Sequence, residues 1–319
     1  MGVSAGDFHT LTNDVNAYSQ LAVSADGKTL ATVLTNVDSS LAYYKGDGGA
    51  MISSTPLRIT PNSLAWADED HLYLVTRGTG ISKLERTTGS LQPIDTGDLD
   101  VGQYVNTCPD GHVLFIAIPK GGGESRLFRM NGDGSGLTQL TTRGIARLPF
   151  CTPDSQKVYF TIRDGVNLSD FSFWSLPLSE GTPRKELALE PNAGSVILSR
   201  DAKLAGINHM RNLDQETAIA DLASGQIVRR LPLDVSNLQG IRSFSPDGKA
   251  IVQNVTSKGG NALLYRPIDG SPAHLLIGPL PDAVTFFAWS PSGSKLGVLQ
   301  LRRSSDVVLI TDITGKQPR

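Results

Sequence analysis

The side chains able to do chemistry in this chain are few and scattered. Five histidines, His9, His71, His112, His209 and His274, stand far apart and never at metal-ligand spacing. The run Asn131-Gly132-Asp133-Gly134-Ser135-Gly136 imitates the start of a calcium loop. Such a loop needs a bidentate carboxylate at its twelfth position, and that position holds Thr142. A Gly-x-Ser-x-Gly elbow, which would raise a serine nucleophile, is missing. So are a Gly-rich phosphate loop on a strand, a His-Arg-Asp loop and an Asp-Phe-Gly triplet, the parts that phosphoryl transfer requires. Arg163-Asp164-Gly165 reads as a polar loop between strands. Cys108 and Cys151 are too few for a disulfide framework or a structural zinc site. These residues predict no catalytic group, no metal and no cofactor.

Composition narrows the remaining classes. The 319 residues carry 29 basic and 31 acidic side chains, a net charge of −2, which excludes broad electrostatic capture of nucleic acid or anionic membrane. Hydrophobic residues make up 39% and charged residues only 19%, with 33 Gly and 18 Pro. Neither a coiled coil nor an acidic disordered chain has that balance, whereas many short strands joined by many turns do. No apolar run approaches the roughly 20 residues that span a bilayer. The opening Met1-Gly2-Val3-Ser4-Ala5 has no basic or apolar leader region, so no signal peptide is expected there.

The elements that position these side chains are set by a repeat. An apolar residue, a small polar residue and Asp-Gly-Lys or a relative recur along the chain. The full form is Val23-Ser24-Ala25-Asp26-Gly27-Lys28 or Phe244-Ser245-Pro246-Asp247-Gly248-Lys249, with further copies led by Trp66, Thr107, Cys151, Leu198 and Trp289. The steps between leading residues are 43, 41, 44, 47, 46 and 45. Each copy has one grammar: an apolar strand, a tight turn, a second strand, a polar loop, a third strand, then a Gly-containing turn and a fourth. Four short antiparallel strands per 45 residues or so are the unit of a β-propeller blade. Helical solenoids share the period but need 3.6-residue apolar spacing, which is absent.

The expected fold is therefore all-β, a single seven-bladed propeller over residues 1–319. Its repeats fall at about 15–62, 63–101, 102–144, 145–192, 193–237, 238–282 and 283–319. The last repeat stops after three strands, and Asp7-Phe8-His9-Thr10-Leu11-Thr12 matches the missing fourth. An N-terminal strand at 7–12 is thus expected to complete the last blade and remove its open edge. Trp66, Phe244 and Trp289 are expected to pack between blades, with Ala65, Ser243 and Ala288 facing a channel. Cys108 and Cys151 occupy adjacent columns that point to opposite faces of a strand, which predicts no disulfide between them.

The Ser-Pro-Asp-Gly-Lys turn resembles the TolB-type, WD-like propeller repeat of bacterial envelope proteins. It lacks the Gly-His and Trp-Asp dipeptides of eukaryotic WD repeats, and the copies at Trp66 and Leu198 have lost the proline. The last repeat, Phe287-Ala288-Trp289-Ser290-Pro291-Ser292-Gly293-Ser294-Lys295-Leu296 with Ser305-Asp306-Val307-Val308-Leu309-Ile310, resembles the end of long acidobacterial-type serine/threonine protein kinases. In those proteins a propeller forms the C-terminal sensory half. The resemblance implies a non-enzymatic binding module, extracytoplasmic and part of a membrane-anchored protein. The alternatives are a free periplasmic scaffold of the TolB kind, a propeller lyase or hydrolase, and the gate domain of a prolyl-oligopeptidase-type peptidase.

In propellers of this kind the innermost strand starts at one face of the ring, and the loops joining second and third strands rise there too. Counting six residues back from each turn Asp gives Gln20, Ser63, Tyr104, Leu148, Ser195, Ile241 and Phe286, with Arg147 and Arg242 alongside. The loops on that face carry a base in six repeats, at Arg77, Lys120, Arg163, Arg211, Lys258 and Arg302-Arg303; only Asn36-Val37-Asp38 has none. The candidate ligand face is thus Gln20, Ser63, Tyr104, Arg147, Ser195, Arg242 and Phe286. Its expected partner is a peptide, a protein or a small anionic ligand, bound by a monomer.

Overall fold

The computed structural model describes residues 18–163, 171–179, 181–190, 193–211, 214–233, 242–257 and 259–311. These form strands and turns, with no helix among them. In chain order the first three strands are β1 (Tyr18–Val23), β2 (Thr29–Lys45) and β3 (Met51–Leu57). Five antiparallel four-stranded sheets then follow, each sequential along the chain. The first is β4 (Ser63–Trp66), β5 (His71–Thr76), β6 (Gly80–Glu85) and β7 (Leu91–Ile94). The second is β8 (Asp100–Thr107), β9 (Val113–Ile118), β10 (Arg126–Met130) and β11 (Thr138–Gln139). The third is β12 (Ile145–Cys151), β13 (Lys157–Arg163), β14 (Phe171–Pro177) and β15 (Arg184–Leu187). The fourth is β16 (Ala193–Leu198), β17 (Leu204–Arg211), β18 (Asp214–Asp221) and β19 (Ile227–Leu233). The fifth is β20 (Arg242–Phe244), β21 (Ala250–Ser257), β22 (Gly260–Pro267) and β23 (His274–Leu280). The closing sheet takes β24 (Ala283–Trp289) and β25 (Lys295–Thr311) and runs β24-β25-β2, with β3 and β1 both paired to β2.

The chain divides into two units, 39–301 and a smaller one of 1–38 with 302–319. In the larger unit each inner strand packs beside the next, β4 by β8, β8 by β12, β12 by β16 and β16 by β20. The closing sheet completes the circuit, with β24 beside both β22 and β4. Within it, residues 39–44 of β2 pair with β3, and the Gly46 N–H donates to the Ser294 carbonyl at 2.8 Å. In the smaller unit β1 pairs with residues 30–34 of β2, and Thr35 and Ser305 hydroxyls lie 3.3 Å apart.

The described residues make six sheets, so the expected count of seven is not confirmed. The first repeat, 15–62, forms no sheet of its own; its third and fourth strands, residues 39–45 and 51–57, enter the closing sheet. Closure by N-terminal strands therefore holds in kind. The segment 7–12 proposed for it lies outside the described residues. The reason is visible in two expected loops. Asn36-Val37-Asp38 lies inside β2 and Arg302-Arg303-Ser304 inside β25, each an unbroken strand of 17 residues. Most of the equivalent connections elsewhere contain Gly, as in Gly78, Gly121 and Gly259, whereas neither of these two does. Without a breaker the strand simply continues.

The core sits between sheets. Trp66 is 3% exposed, donates Nε1–H to the Ala288 carbonyl at 2.9 Å and meets Tyr43 edge-on at 6.0 Å. Phe244 is buried between the fourth and fifth sheets, and half-buried Trp289 donates Nε1–H to the Gly46 carbonyl at 3.0 Å. Two residues of the preceding column, Ala65 and Ala288, pack against neighbouring sheets instead of facing a channel as expected. Ala65 is buried with Val101 and Val105 of the second sheet, and Ala288 packs on the first sheet's core. A blade has a neighbour on either side, so both faces of its inner strand are covered.

Cys108 and Cys151 form a disulfide, with Cα atoms 5.1 Å apart, which overturns the expectation of none. That expectation extended strict strand alternation across both positions. Cys108 lies one residue beyond the end of β8, and β12 has a bulge between Arg147 and Phe150 that resets which way its later residues point.

Candidate functional site

The two ends of the larger unit are built differently. At one end lie the repeated turns. Ser245 Oγ donates to Asp247 Oδ1 at 2.6 Å and accepts from the Ala250 N–H at 3.0 Å, while Asp247 Oδ1 accepts from the Lys249 N–H at 3.1 Å. Thr152 with Asp154 and Ser199 with Asp201 repeat this lock. The Thr152 hydroxyl and the Gln156 N–H hold the Asp154 carboxyl below its ordinary range. For Asp201 and Asp247 partial burial opposes ionisation, but the Ser199 and Ser245 hydroxyls and neighbouring backbone N–H groups outweigh it.

The turns are also tied to one another. The Ser292 N–H and Lys295 Nζ donate to the two Glu69 carboxylate oxygens, both at 2.8 Å, joining the closing sheet to the first. Partial burial works against this carboxylate, yet those bonds hold it at about 2. The Asp110 N–H donates to Ser155 Oγ at 3.1 Å between the second and third sheets. From the fourth sheet, Arg200 reaches the closing sheet and donates to the Pro291 and Ser290 carbonyls at 2.7 and 2.8 Å. A cavity of about 360 Å³ opens at this end beside Asp154, Lys157, Tyr159 and Asp201. Its charged groups are already engaged, Asp154 and Asp201 in their turn locks and Lys157 over the Tyr159 ring at 5.5 Å.

At the opposite end the inner strands begin, and there the ladder breaks. Register shifts fall between Val101 and Val105 in β8, Arg147 and Phe150 in β12, Ala193 and Val196 in β16, and Val284 and Phe286 in β24. Tyr104 (φ 63°) and Leu148 (φ 49°) sit in the left-handed region that non-Gly residues avoid. A bulge frees backbone groups, and neighbouring side chains satisfy them. Thr161 Oγ1 donates to the Arg147 carbonyl at 3.3 Å; at the β16 bulge the contact is between side chains, Asn208 Nδ2 donating to Ser195 Oγ at 2.6 Å. Gln20, Tyr104, Leu148, Ser195 and Phe286 of the column counted six residues before the turn Asp thus lie in or beside β-bulges, whereas Ser63 is regularly paired and Ile241 lies outside the described residues. Sequence spacing located these bulges without identifying the backbone geometry.

Of the seven expected site residues, the larger unit brings Tyr104, Arg147, Ser195, Arg242 and Phe286 to this bulged end, all partly exposed. Tyr104 leans on the third sheet's core and Phe286 on the first sheet's. The Arg147 guanidinium stands 5.7 Å from the Phe171 ring centroid. Burial pushes the Arg242 guanidinium down to about 10. Ser63 is fully buried, and its Oγ accepts the Val105 N–H at 3.3 Å, so it supports the neighbouring bulge. Gln20 (φ 56°) repeats the bulge in the smaller unit, where Thr32 Oγ1 donates to the Ser19 carbonyl at 3.2 Å.

Sequence reasoning missed a set of buried polar side chains on the second and third strands. Thr161, Asn208, Thr217, Gln253, Asn254 and Gln300 are all at most 8% exposed. The signal was present: Thr161, Asn208, Gln253 and Gln300 recur at the repeat spacing inside otherwise apolar strands. Among the described residues, no three His, Cys, Asp or Glu side chains cluster as metal ligands would. Nor is any described helix long and apolar enough to cross a membrane.

No protein-family model matches the chain, and no curated protein does. Solved structures do. A protein assigned as TolB in Agrobacterium tumefaciens superposes with a TM-score of 0.64 at 17% identity, over 84% of this chain and 99% of that one. TolB from Acinetobacter baumannii gives 0.59 at 18% identity, over 83% of this chain and 66% of that one. An oligogalacturonate lyase, solved in complex with manganese, gives 0.58 at 13% identity over 90% and 96%. The fold is an all-β, TolB-like propeller.

Proposed function

We propose that this chain is a non-enzymatic binding propeller whose ligand end is the bulged end of the larger unit. The contrast between the two ends carries the reading. One end spends its polar groups on turn locks and on ties between sheets, while the other presents Tyr104, Arg147, Ser195 and Phe286 at bulges, with Arg242 on a regular strand beside them. A propeller is held together by packing between blades, so strained backbone at one rim is available for recognition. The Arg side chains favour a carboxylate or an acidic peptide, with Tyr104 or Phe286 as a stacking surface. The buried Cys108–Cys151 bridge favours an oxidising, extracytoplasmic compartment.

Within this reading the finer assignment is the sensory domain of a membrane-anchored serine/threonine kinase. It rests on the resemblance of residues 287–310 and is tested by the full-length reading frame, where a kinase domain and one membrane-spanning helix should precede the propeller. A signal peptide immediately upstream would favour the free scaffold instead. The likeness to a lyase keeps a propeller enzyme as the second reading, which turnover of any bound compound would establish.

The binding reading is tested by a thermal-shift screen of organic acids, envelope peptides and peptidoglycan fragments. Tyr104→Ala and Arg147→Ala should each weaken a hit about tenfold or more while the protein stays folded. A hit that crosslinks at the turns around Asp110 and Asp247 would contradict it.

A further inference from the structure

The seam between the fourth and fifth sheets changes character along its length. Toward the turns it is apolar, with Ile219 and Leu231 of the fourth sheet buried against Phe244 and Ile251 of the fifth. A Cβ at Gly206 would stand 3.4 Å from Phe244 Cε2, so that face of β17 looks at the fifth sheet. Two residues further along each of these strands, side chains return to the same face. They are Asn208 on β17, Thr217 on β18, Arg242 on β20 and Gln253 on β21. Arg242 and Gln253 are also direct cross-strand partners. The seam therefore turns polar as it approaches the bulged end.

Part of this polar set is satisfied internally. Thr217 Oγ1 donates to Asn208 Oδ1 at 3.0 Å, and Asn208 Nδ2 donates to Ser195 Oγ at the bulge. Gln253 differs. Its side chain is 3% exposed, and its Oε1 has no hydrogen-bond partner among the described residues. A buried acceptor left without a donor is destabilising, so natural proteins rarely keep one without a use. Its cross-strand partner Arg242 is cationic and partly exposed, at the mouth of the same seam.

The geometry points to a pocket at the bulged end of this seam for a carboxylate that carries a hydroxyl or amino group on the adjacent carbon. This rests on the binding-end reading above and names its ligand chemistry. Arg242 would hold the carboxylate through its planar fork of donors. Gln253 Oε1 would accept from the neighbouring O–H or N–H, and Ser195 lies at the entrance with a hydroxyl that can serve either role. A simple carboxylate such as acetate satisfies Arg242 and leaves Gln253 unpaired. Selectivity for the substituted acid follows from that unpaired acceptor.

Isothermal titration with lactate, L-alanine and the dipeptide Ala-Ala, against acetate and the amidated dipeptide, tests this. At least one substituted carboxylate should bind about tenfold or more tightly than acetate. Binding by the dipeptide but neither free acid would assign the site to a peptide C-terminus; the converse would assign it to free acids. Arg242→Gln should abolish binding. Gln253→Leu should bring the substituted acid down to acetate's affinity while leaving the melting temperature unchanged or raised, because an unsatisfied acceptor has been removed. Should the leucine variant fail to fold, Gln253→Met, closer in shape, carries the same test. No binding of any probe, or an unchanged preference over acetate in the Gln253 variant, would overturn the pocket. A screening hit sensitive to Tyr104→Ala and Arg147→Ala but not to Arg242→Gln would also overturn it, and would leave the binding end standing. A hit insensitive to all three would overturn both.

Discussion

The Ser245 hydroxyl accepts the N–H of fully buried Ala250 while donating to Asp247. Ser245→Ala removes the acceptor and leaves that amide unsatisfied, so the variant should lose about 1–3 kcal/mol in chemical denaturation. A loss near zero would show that the turn lock adds nothing to backbone pairing. Ala202 offers the opposite case. It holds φ 54° at the turn position where Gly27, Gly111, Gly248 and Gly293 stand in other repeats. Ala202→Gly should stabilise the protein by about 0.5–1 kcal/mol, seen as a higher denaturation midpoint, because glycine adopts that conformation without steric cost. The turn residues were legible in the sequence because Ser, Asp and Gly each have one mechanism there. The bulge residues were not. Nothing in the side chains of Tyr104 or Leu148 announces a left-handed backbone, and only their constant distance from the turn Asp marked the position.

Trp66 fills the seam between the first and closing sheets, against Tyr43 and within 3.3 Å of a Cβ placed on Gly297. Trp66→Ala should cost about 3–5 kcal/mol in urea unfolding. A loss below 1 kcal/mol would mean that the seam collapses around the gap. The Cys108–Cys151 bridge closes 43 residues between the second and third sheets, and a loop of that length is worth about 4 kcal/mol in the chain-entropy account. Unfolding with and without reductant should show a loss of that order, and Cys108→Ser should show it without reductant. Strand order was readable from the repeat for the five sequential sheets, each of which follows one repeat, but not for the closing sheet, which joins strands from both ends of the chain. The disulfide was not, because parity arguments fail where β12 bulges and β8 ends. The long strands β2 and β25 were readable in principle from the lack of Gly and Pro between Thr29 and Lys45 and between Leu301 and Thr311.

The whole molecule depends on closure of its ring of sheets. Closure joins β24 to β4, and Glu69 secures it with Ser292 and Lys295. Its carboxyl titrates at about 2 against an ordinary 4.5, so the stabilisation is present above pH 4.5 and fades as pH falls toward 2. Thermal midpoints should decline over that window, and Glu69→Gln should flatten the decline; an identical profile in the variant would separate this contact from acid sensitivity. The candidate face was only half legible. The sequence column gathers Tyr104, Arg147, Ser195, Arg242 and Phe286 at one end of the larger unit, whereas Ser63 is buried beneath a neighbouring bulge, Gln20 belongs to the smaller unit, and Gln253 escaped notice as a polar residue in an apolar strand. Hydrogen–deuterium exchange in the presence of the tightest-binding organic acid or peptide distinguishes the two ends of the larger unit. The binding-end account predicts protection concentrated at residues 101–105, 145–150, 193–196, 242–253 and 284–286. Protection centred instead on the turns at 110–111, 154–157, 201–203 and 247–249 would contradict it.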